Sequence, residues 1–161
     1  MYKRVMVPLD GSKLAECALQ HVEGLAEKGL AQEVLFVRVV DPLENSVAGL
    51  EGGTQSMVEQ MMREAEQKVT RDKSTAREYL DRVVSRCRAK NIKVHAEVLQ
   101  GQAAETLIEY AEKNSVDFIV IATHGRSGVS RWIRGSTADR ILTSARVPVM
   151  MIPAPGCGPQ R

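Results

Sequence analysis

The sequence predicts an α/β fold: an open parallel β-sheet with helices on both faces. Five short apolar, β-type runs alternate with segments of helical periodicity along the 161 residues. The fourth run holds four consecutive apolar residues, Phe118 to Ile121, which is typical of a strand covered on both faces. Strict alternation favours parallel strands joined by right-handed crossovers. The length fits one domain, which we assign to residues 1–153, followed by a flexible tail at 154–161.

The β-type runs differ in their apolar patterns. The third alternates apolar and polar residues, which indicates a place near a sheet edge. The fifth, VPVMMI, is short and strongly apolar and carries no charge. The five runs lie at residues 2–9, 33–40, 92–99, 116–123 and 147–152.

Four segments show the apolar spacing of helices. Gly29 is predicted to end the first, and Ser136, with Asp139 three residues later, to cap the start of the last. In the second segment Asp72 interrupts the apolar repeat, so one long helix and two pieces broken near residues 71–75 are both open. The four segments lie at residues 12–29, 55–89, 103–114 and 136–145.

Composition gives no global reason to invoke nucleic acid or a membrane. The net charge is +2, and no apolar run approaches the roughly 18 residues of a membrane span. The N-terminus lacks the apolar core of a signal peptide. Cys17, Cys87 and Cys157 are widely spaced without a Cys-x-x-Cys pair, so we expect reduced thiols and a cytoplasmic location.

Positive charge is concentrated after the fourth run. Residues 126–146 hold five arginines and one acid, Asp139, so this stretch carries +4 and the remainder −2. Its first part, ATHGRSGVSRWIRGST at 122–137, also gathers glycines and hydroxyl side chains beside a helix start. Such a segment offers backbone N–H groups to a phosphate, and clustered arginines can pair with one. Because ligands of parallel sheets bind beyond the carboxyl ends of strands, the segment lies where a ligand is expected.

Three segments resemble the signature segments of ATP-binding universal stress proteins: RVMVPLDGS, GQAAETLIEYAEKNSVDFIVIATHGRSG and GSTADRILTSARVPVMMI. The resemblance extends over nearly the whole chain. The family motif, Gly-x2-Gly-x9-Gly-[Ser/Thr], is matched at Gly125, Gly135 and Ser136, but Ala122 replaces the first glycine. A Cβ at this position is expected to crowd a nucleotide, and a left-handed backbone there would cost roughly 1–2 kcal/mol.

The resemblance implies an adenine-nucleotide alpha-hydrolase-like (Rossmann-like) fold with strand order 3-2-1-4-5. It implies that the first strand's end lies near the ribose and adenine, that residue 39 offers its backbone to the adenine, and that the glycine segment holds the ribose and phosphates. The implied binding residues are Pro8, Leu9, Asp10, Val39, Ala122, His124, Gly125, Arg126, Gly135, Ser136 and Thr137. The fifth strand, left at an edge, is expected to pair with a second copy in a homodimer.

These residues favour binding over catalysis. No Ser-His-Asp set, assignable carboxylate pair or metal-ligand cluster is evident, so we expect no catalytic or metal-ligating residues. ATP, with AMP as a further ligand, is the expected cofactor; Mg²⁺ would arrive with a triphosphate, with Asp10 as the nearby carboxylate. The sequence thus predicts a dimeric, ATP-binding stress-response regulator with at most slow hydrolysis. A nucleotide-independent dimeric interaction module and a slow ATPase or other nucleotide-using enzyme remain alternatives.

Overall fold

The computed structural model describes residues 1–42, 54–123 and 137–153. These residues form five strands, β1 to β5, and four helices, α1 to α4. The strands are β1 Tyr2–Pro8, β2 Ala31–Val40, β3 Val94–Gln100, β4 Phe118–Thr123 and β5 Val149–Pro153. The helices are α1 Cys17–Glu27, α2 Gln55–Arg88, α3 Ala103–Lys113 and α4 Thr137–Ser144.

The strands form one parallel sheet in the order β3-β2-β1-β4-β5. This confirms the predicted α/β fold, the strand order and the edge positions of β3 and β5. The residues of β4 from Phe118 to Ile121 are all buried, as the apolar run predicts. Because β2 lies on one side of β1 and β4 on the other, the strand order reverses at β1.

Side chains of successive strand residues point to opposite faces, and this creates two cores. Val5 and Val7 of β1 pack with residues of α1 and α2 on one face. Met6, between them, packs with residues of α3 and α4 on the other. All three are fully buried, so the sheet is covered on both faces near its centre.

The second helical segment is a single helix of 34 residues, which answers the question that Asp72 raised. Thr54 caps its start, where Oγ1 accepts a hydrogen bond from the backbone N–H of Met57 (3.4 Å). Asp72 is tolerated because it is half-exposed and its carboxylate lies 3.9 Å from the Lys68 ammonium one turn earlier. At 1.5 Å per residue the helix is about 51 Å long.

The first helix begins later than its apolar pattern predicts. Residues before Cys17 form turns, and the amides of Cys17, Ala18 and Leu19 bond to carbonyls three residues earlier, which is tighter than α-helical spacing. The expected end is confirmed: Gly29 has a φ of +69° and donates to Ala26.

Cys87 is a buried free thiol, as expected, and burial together with the nearby Glu23 carboxylate raises its pKa to about 11. Cys157 lies outside the described residues, so the expectation for Cys17 and Cys157 stays a prediction. In the described part of the chain, no helix combines the length and apolarity that a bilayer crossing requires.

Candidate functional site

A cavity of about 250 Å³ opens at the carboxyl end of the sheet. It lies over the end of β1, with β2 and β4 at its sides and the first turns of α3 and α4 on its wall. This is the point of strand-order reversal, where open parallel sheets bind ligands. Six of the predicted binding residues line it: Pro8, Leu9, Asp10, Val39, Ala122 and Thr137.

The other predicted binding residues lie outside the described residues. They are His124, Gly125, Arg126, Gly135 and Ser136. The helix cap predicted at Ser136 also lies outside the described residues. Their assignments to ribose and phosphate stay predictions, although Ala122 and Thr137, at the two ends of that segment, both reach the cavity.

The structure adds wall residues that sequence reasoning did not assign to a site. Leu107 lies on the face of α3 that packs into the core, and the same side chain lines the cavity. Ala103 begins α3 just after β3, at the carboxyl end of the sheet. Because ligands of parallel sheets bind at this end, its position in the chain could have predicted a place on the cavity wall. The added residues are Leu14, Ala15, Val37, Ala103, Leu107, Ile121, Thr123 and Ala138.

The turn from β1 to α1 places the carboxylate of Asp10 at the cavity. Asp10 Oδ1 accepts a hydrogen bond from the backbone N–H of Ser12 (2.8 Å), and Ser12 Oγ accepts one from the backbone N–H of Ala15 (3.0 Å). Gly11, between them, has a φ of +85°, which suits glycine. These two bonds fix the turn and leave the other Asp10 oxygen, Oδ2, for a further donor.

The backbone of Val39 faces the position that β1 vacates. The last hydrogen bond between β1 and β2 runs from the Leu9 N–H to the Val37 carbonyl (2.9 Å). Backbone groups of alternate residues in a strand point to the same side, so the N–H and C=O of Val39 also point toward β1. Since β1 ends at Pro8, no strand of the described residues pairs with Val39 on that side. A donor and an acceptor of the backbone therefore stand together at the cavity.

Ala122 lies within β4 in extended conformation, paired with Ile152 of β5. Among the described non-glycine residues, positive φ occurs at Asn91 and Ser115, and not at Ala122. The expected left-handed strain at this position is therefore absent. Ala122 packs against the core on the α1 side and also lines the cavity, so crowding of a ligand by its Cβ remains the testable effect.

The described wall of the cavity is mainly apolar. Asp10 is the one ionisable side chain on that wall. Behind the turn, burial and the nearby carboxylate of Glu16 raise the pKa of Tyr79 to about 12, so its hydroxyl stays protonated at neutral pH. Within residues 1–42, 54–123 and 137–153, no three His, Cys, Asp or Glu side chains cluster as metal ligands would. Asp10 alone could contribute one oxygen to Mg²⁺ carried by a phosphate chain.

Known proteins share this architecture over nearly the full chain. The chain is similar to universal stress protein MJ0531 of Methanocaldococcus jannaschii, with 30% identity over 155 residues, covering 96% of this chain and 84% of that one. The solved structure of protein MJ0577, 25% identical, superposes with a TM-score of 0.73 and covers 95% and 96% of the two chains.

Two further structures share the fold alone. A universal stress protein in complex with cAMP is 17% identical, with a TM-score of 0.60 and coverage of 95% and 98%. An Arabidopsis thaliana universal stress protein family protein with AMP bound is 14% identical, with a TM-score of 0.59 and coverage of 94% and 91%. The model of the universal stress protein family itself matches residues 1–153. The sheet order, the site at the end of β1 and this match agree, and the chain belongs to the universal stress protein family.

Proposed function

We propose that this protein binds an adenine nucleotide, ATP first among them, and acts as a dimeric regulator in the response to stress. The observation that carries the proposal is the free backbone edge of Val39 in an apolar cavity at the point of strand-order reversal. Two solved universal stress proteins have cAMP and AMP bound, and these ligands support the adenine-nucleotide class.

The Val39 edge suits adenine better than guanine. One N–H and one C=O from a single residue match adenine, which offers N1 as an acceptor and the 6-amino group as a donor. Guanine presents the opposite polarity on the same edge, with O6 accepting and N1–H donating. A buried mismatch of this kind costs about 1–3 kcal/mol, which is roughly a tenfold to hundredfold loss of affinity.

The apolar walls suit the flat faces of a purine ring. Half-buried Val39 provides aliphatic surface on the β2 side, and Val37 and Leu107, both almost fully buried, line the cavity beside it. The ribose would then lie near Asp10, whose fixed carboxylate accepts hydrogen bonds from hydroxyl groups. The phosphates would extend toward Thr137 and the start of α4, where helix N–H groups favour an anion.

Binding without efficient turnover is the proposed mode of action. Asp10 is needed for the ribose, and the described wall offers no second carboxylate or histidine to activate water. Hydrolysis, if it occurs, is slow, and Mg²⁺ would enter with the triphosphate. Nucleotide occupancy would then change stability or partner choice by mass action, in a cytoplasmic protein.

The proposed homodimer forms through β5. Among the described residues, this strand pairs with β4 on one side and with no strand on the other. The Pro148 carbonyl accepts from Ile119 of β4, so residues 148, 150 and 152 point their backbone groups inward. Val149 and Met151 therefore point theirs to the open edge, where an antiparallel copy of β5 would satisfy them.

Isothermal titration with ATP, GTP and purine riboside triphosphate tests the base site. We expect ATP to bind at least tenfold more tightly than GTP, and the riboside, which lacks the 6-amino donor, to lie between them. Titration with AMP and cAMP shows whether the terminal phosphates contribute. Mass spectrometry of small molecules released from denatured protein identifies any nucleotide that co-purifies. Absence of binding by every nucleotide would refute the proposal and leave the interaction-module alternative.

A further inference from the structure

Arg38 lies next to the candidate site but not in it. It stands between Val37 and Val39 on β2, and alternation directs its side chain to the opposite face of the sheet from these cavity residues. There its guanidinium lies over the ring of Tyr79, 5.4 Å from the ring centroid. This separation is within the range of cation–π attraction, and Tyr79 is itself buried on α2.

The same guanidinium also lies beside Gly11. A Cβ built on Gly11 would lie 2.9 Å from Nη1 and 3.3 Å from Cζ of Arg38. A larger residue at position 11 would therefore require the Arg38 side chain to move, and in this structure the guanidinium lies close to both Gly11 and the Tyr79 ring. The φ of +85° at Gly11 shows that the turn at this contact uses a conformation other residues rarely adopt.

This contact supports the turn that carries the site. Gly11 follows Asp10 directly, and the Asp10–Ser12 and Ser12–Ala15 hydrogen bonds connect it to the start of α1. The Leu9 to Val37 bond ties the other end of the turn to the residue before Arg38. Loss of the guanidinium would leave space beside Gly11, and a turn that relaxed into this space would carry the Asp10 carboxylate with it.

We propose that Arg38 is a positioning residue, which holds the Asp10–Gly11–Ser12 turn so that Asp10 meets the ribose hydroxyls of a bound nucleotide. The inference rests on the proposed nucleotide site and adds a residue that does not touch the ligand. Arginine suits the role because its flat guanidinium can stack on the Tyr79 ring while it fills the space beside Gly11, whereas lysine ends in a compact ammonium. Its charge also offsets the carboxylates of Asp10 and Glu16, which act on Tyr79 from the same region.

Ribose-modified ligands separate this role from a general effect on folding. ATP and 2′,3′-dideoxy-ATP are titrated into the full-length protein and into Arg38→Gln, Arg38→Lys and Arg77→Gln. Arg77 is a matched control because it lies two residues from Tyr79 and donates to the Ala96 carbonyl of β3 (3.3 Å), away from the turn. We expect Arg38→Gln to weaken ATP about five- to tenfold and dideoxy-ATP less than about twofold. Arg38→Lys should be intermediate, and Arg77→Gln should match the wild type.

A second arm uses Asp10→Asn alone and with Arg38→Gln. If Arg38 acts through Asp10, the double variant binds ATP no more weakly than Asp10→Asn does. Equal losses for the two nucleotides, additive effects of the two substitutions, or unchanged ATP binding by Arg38→Gln would each overturn the positioning role while leaving nucleotide binding intact. If the wild type binds neither nucleotide, the nucleotide site and the positioning role both fail.

Discussion

Replacing Glu23 by glutamine should destabilise the protein more than the same change at its neighbour Glu27. Glu23 lies on α1 with a side chain only 8% exposed, and it faces two cations near the end of α2. Arg86 donates to Oε1 from Nε (3.1 Å) and Nη2 (3.0 Å), and Lys90 donates to Oε2 from Nζ (2.7 Å). The cluster thereby joins the first helix to the end of the longest one.

The magnitude follows from the burial of each partner. A hydrogen bond to a charged group contributes about 1.5–3 kcal/mol. Arg86 and Lys90 are 48% and 44% exposed, so both recover solvation when the carboxylate is lost, and the glutamine oxygen keeps one acceptor. We therefore expect Glu23→Gln to lower the free energy of unfolding by about 1.5–3 kcal/mol in all. Glu27 is 54% exposed and 3.8 Å from Lys90, so Glu27→Gln should cost under about 0.5 kcal/mol.

The stabilisation by Glu23 should decrease as the pH falls, because of the direction in which its pKa is shifted. Burial alone acts to raise the pKa of Glu23, but the hydrogen bonds from Lys90 and Arg86 outweigh it and lower the pKa below its ordinary value. The ionised carboxylate thus stabilises the folded state above the unfolded pKa, about 4.5, and this contribution is lost as pH falls through the lower folded pKa. The difference between wild type and Glu23→Gln should be constant near neutrality and shrink in acid.

Urea unfolding at fixed protein concentration, followed by circular dichroism from pH 7 down to about pH 3, measures both effects. A fixed concentration is needed because the stability of the proposed dimer would depend on it. Equal losses for the two variants, or a difference that grows as the pH falls, would refute the reasoning.

Three further predictions test the edge strand, the entry to α3 and the motif alanine. Val149→Pro should reduce dimerisation in light scattering without loss of fold, whereas Met150→Pro should destabilise the protomer, because the N–H of Met150 faces β4. Equal losses of folding stability for the two variants would contradict this. Gly101→Ala should lower the free energy of unfolding by about 1–3 kcal/mol, since φ is +150° and the new Cβ meets the Thr106 hydroxyl; an unchanged urea midpoint would count against it. Ala122→Gly should tighten ATP binding in titration, because a methyl group is removed from the cavity wall, and should lower the free energy of unfolding by about 0.5–1 kcal/mol, because glycine weakens a strand. Unchanged affinity would show that the methyl group does not crowd the ligand.

The fold was predictable because its determinants are visible in single segments. The apolar run at Phe118 to Ile121 has the composition of a strand buried on both faces, and the alternating third run has that of an edge. Strand ends were less predictable. β2 begins at Ala31 rather than at residue 33, because the pairing of Ala31 with Tyr2 is made by backbone atoms that the side-chain pattern does not encode.

The site divides in the same way. Asp10 and Thr137 were found from motifs, and both reach the cavity. Leu107 was missed because its apolar character predicts burial without saying whether protein or ligand will cover it. Arg38 was missed for another reason. Its contacts with Gly11 and Tyr79 join residues far apart in sequence, and a local sequence pattern does not predict such contacts.

Because β1 ends early, ligand binding would be detectable in the hydrogen exchange of the sheet itself. A purine against Val39 would take the place of the next residue of β1, so that binding adds one rung to the hydrogen-bond ladder between the two central strands. The exchange of the Val39 amide with solvent deuterium would then slow on binding, and strand fraying at Leu9 would slow with it. A ligand that stabilises the pairing of β1 with β2 would also slow the opening of β3 and β5. The reason is that β3 pairs with β2, and β5 is joined to β1 through β4.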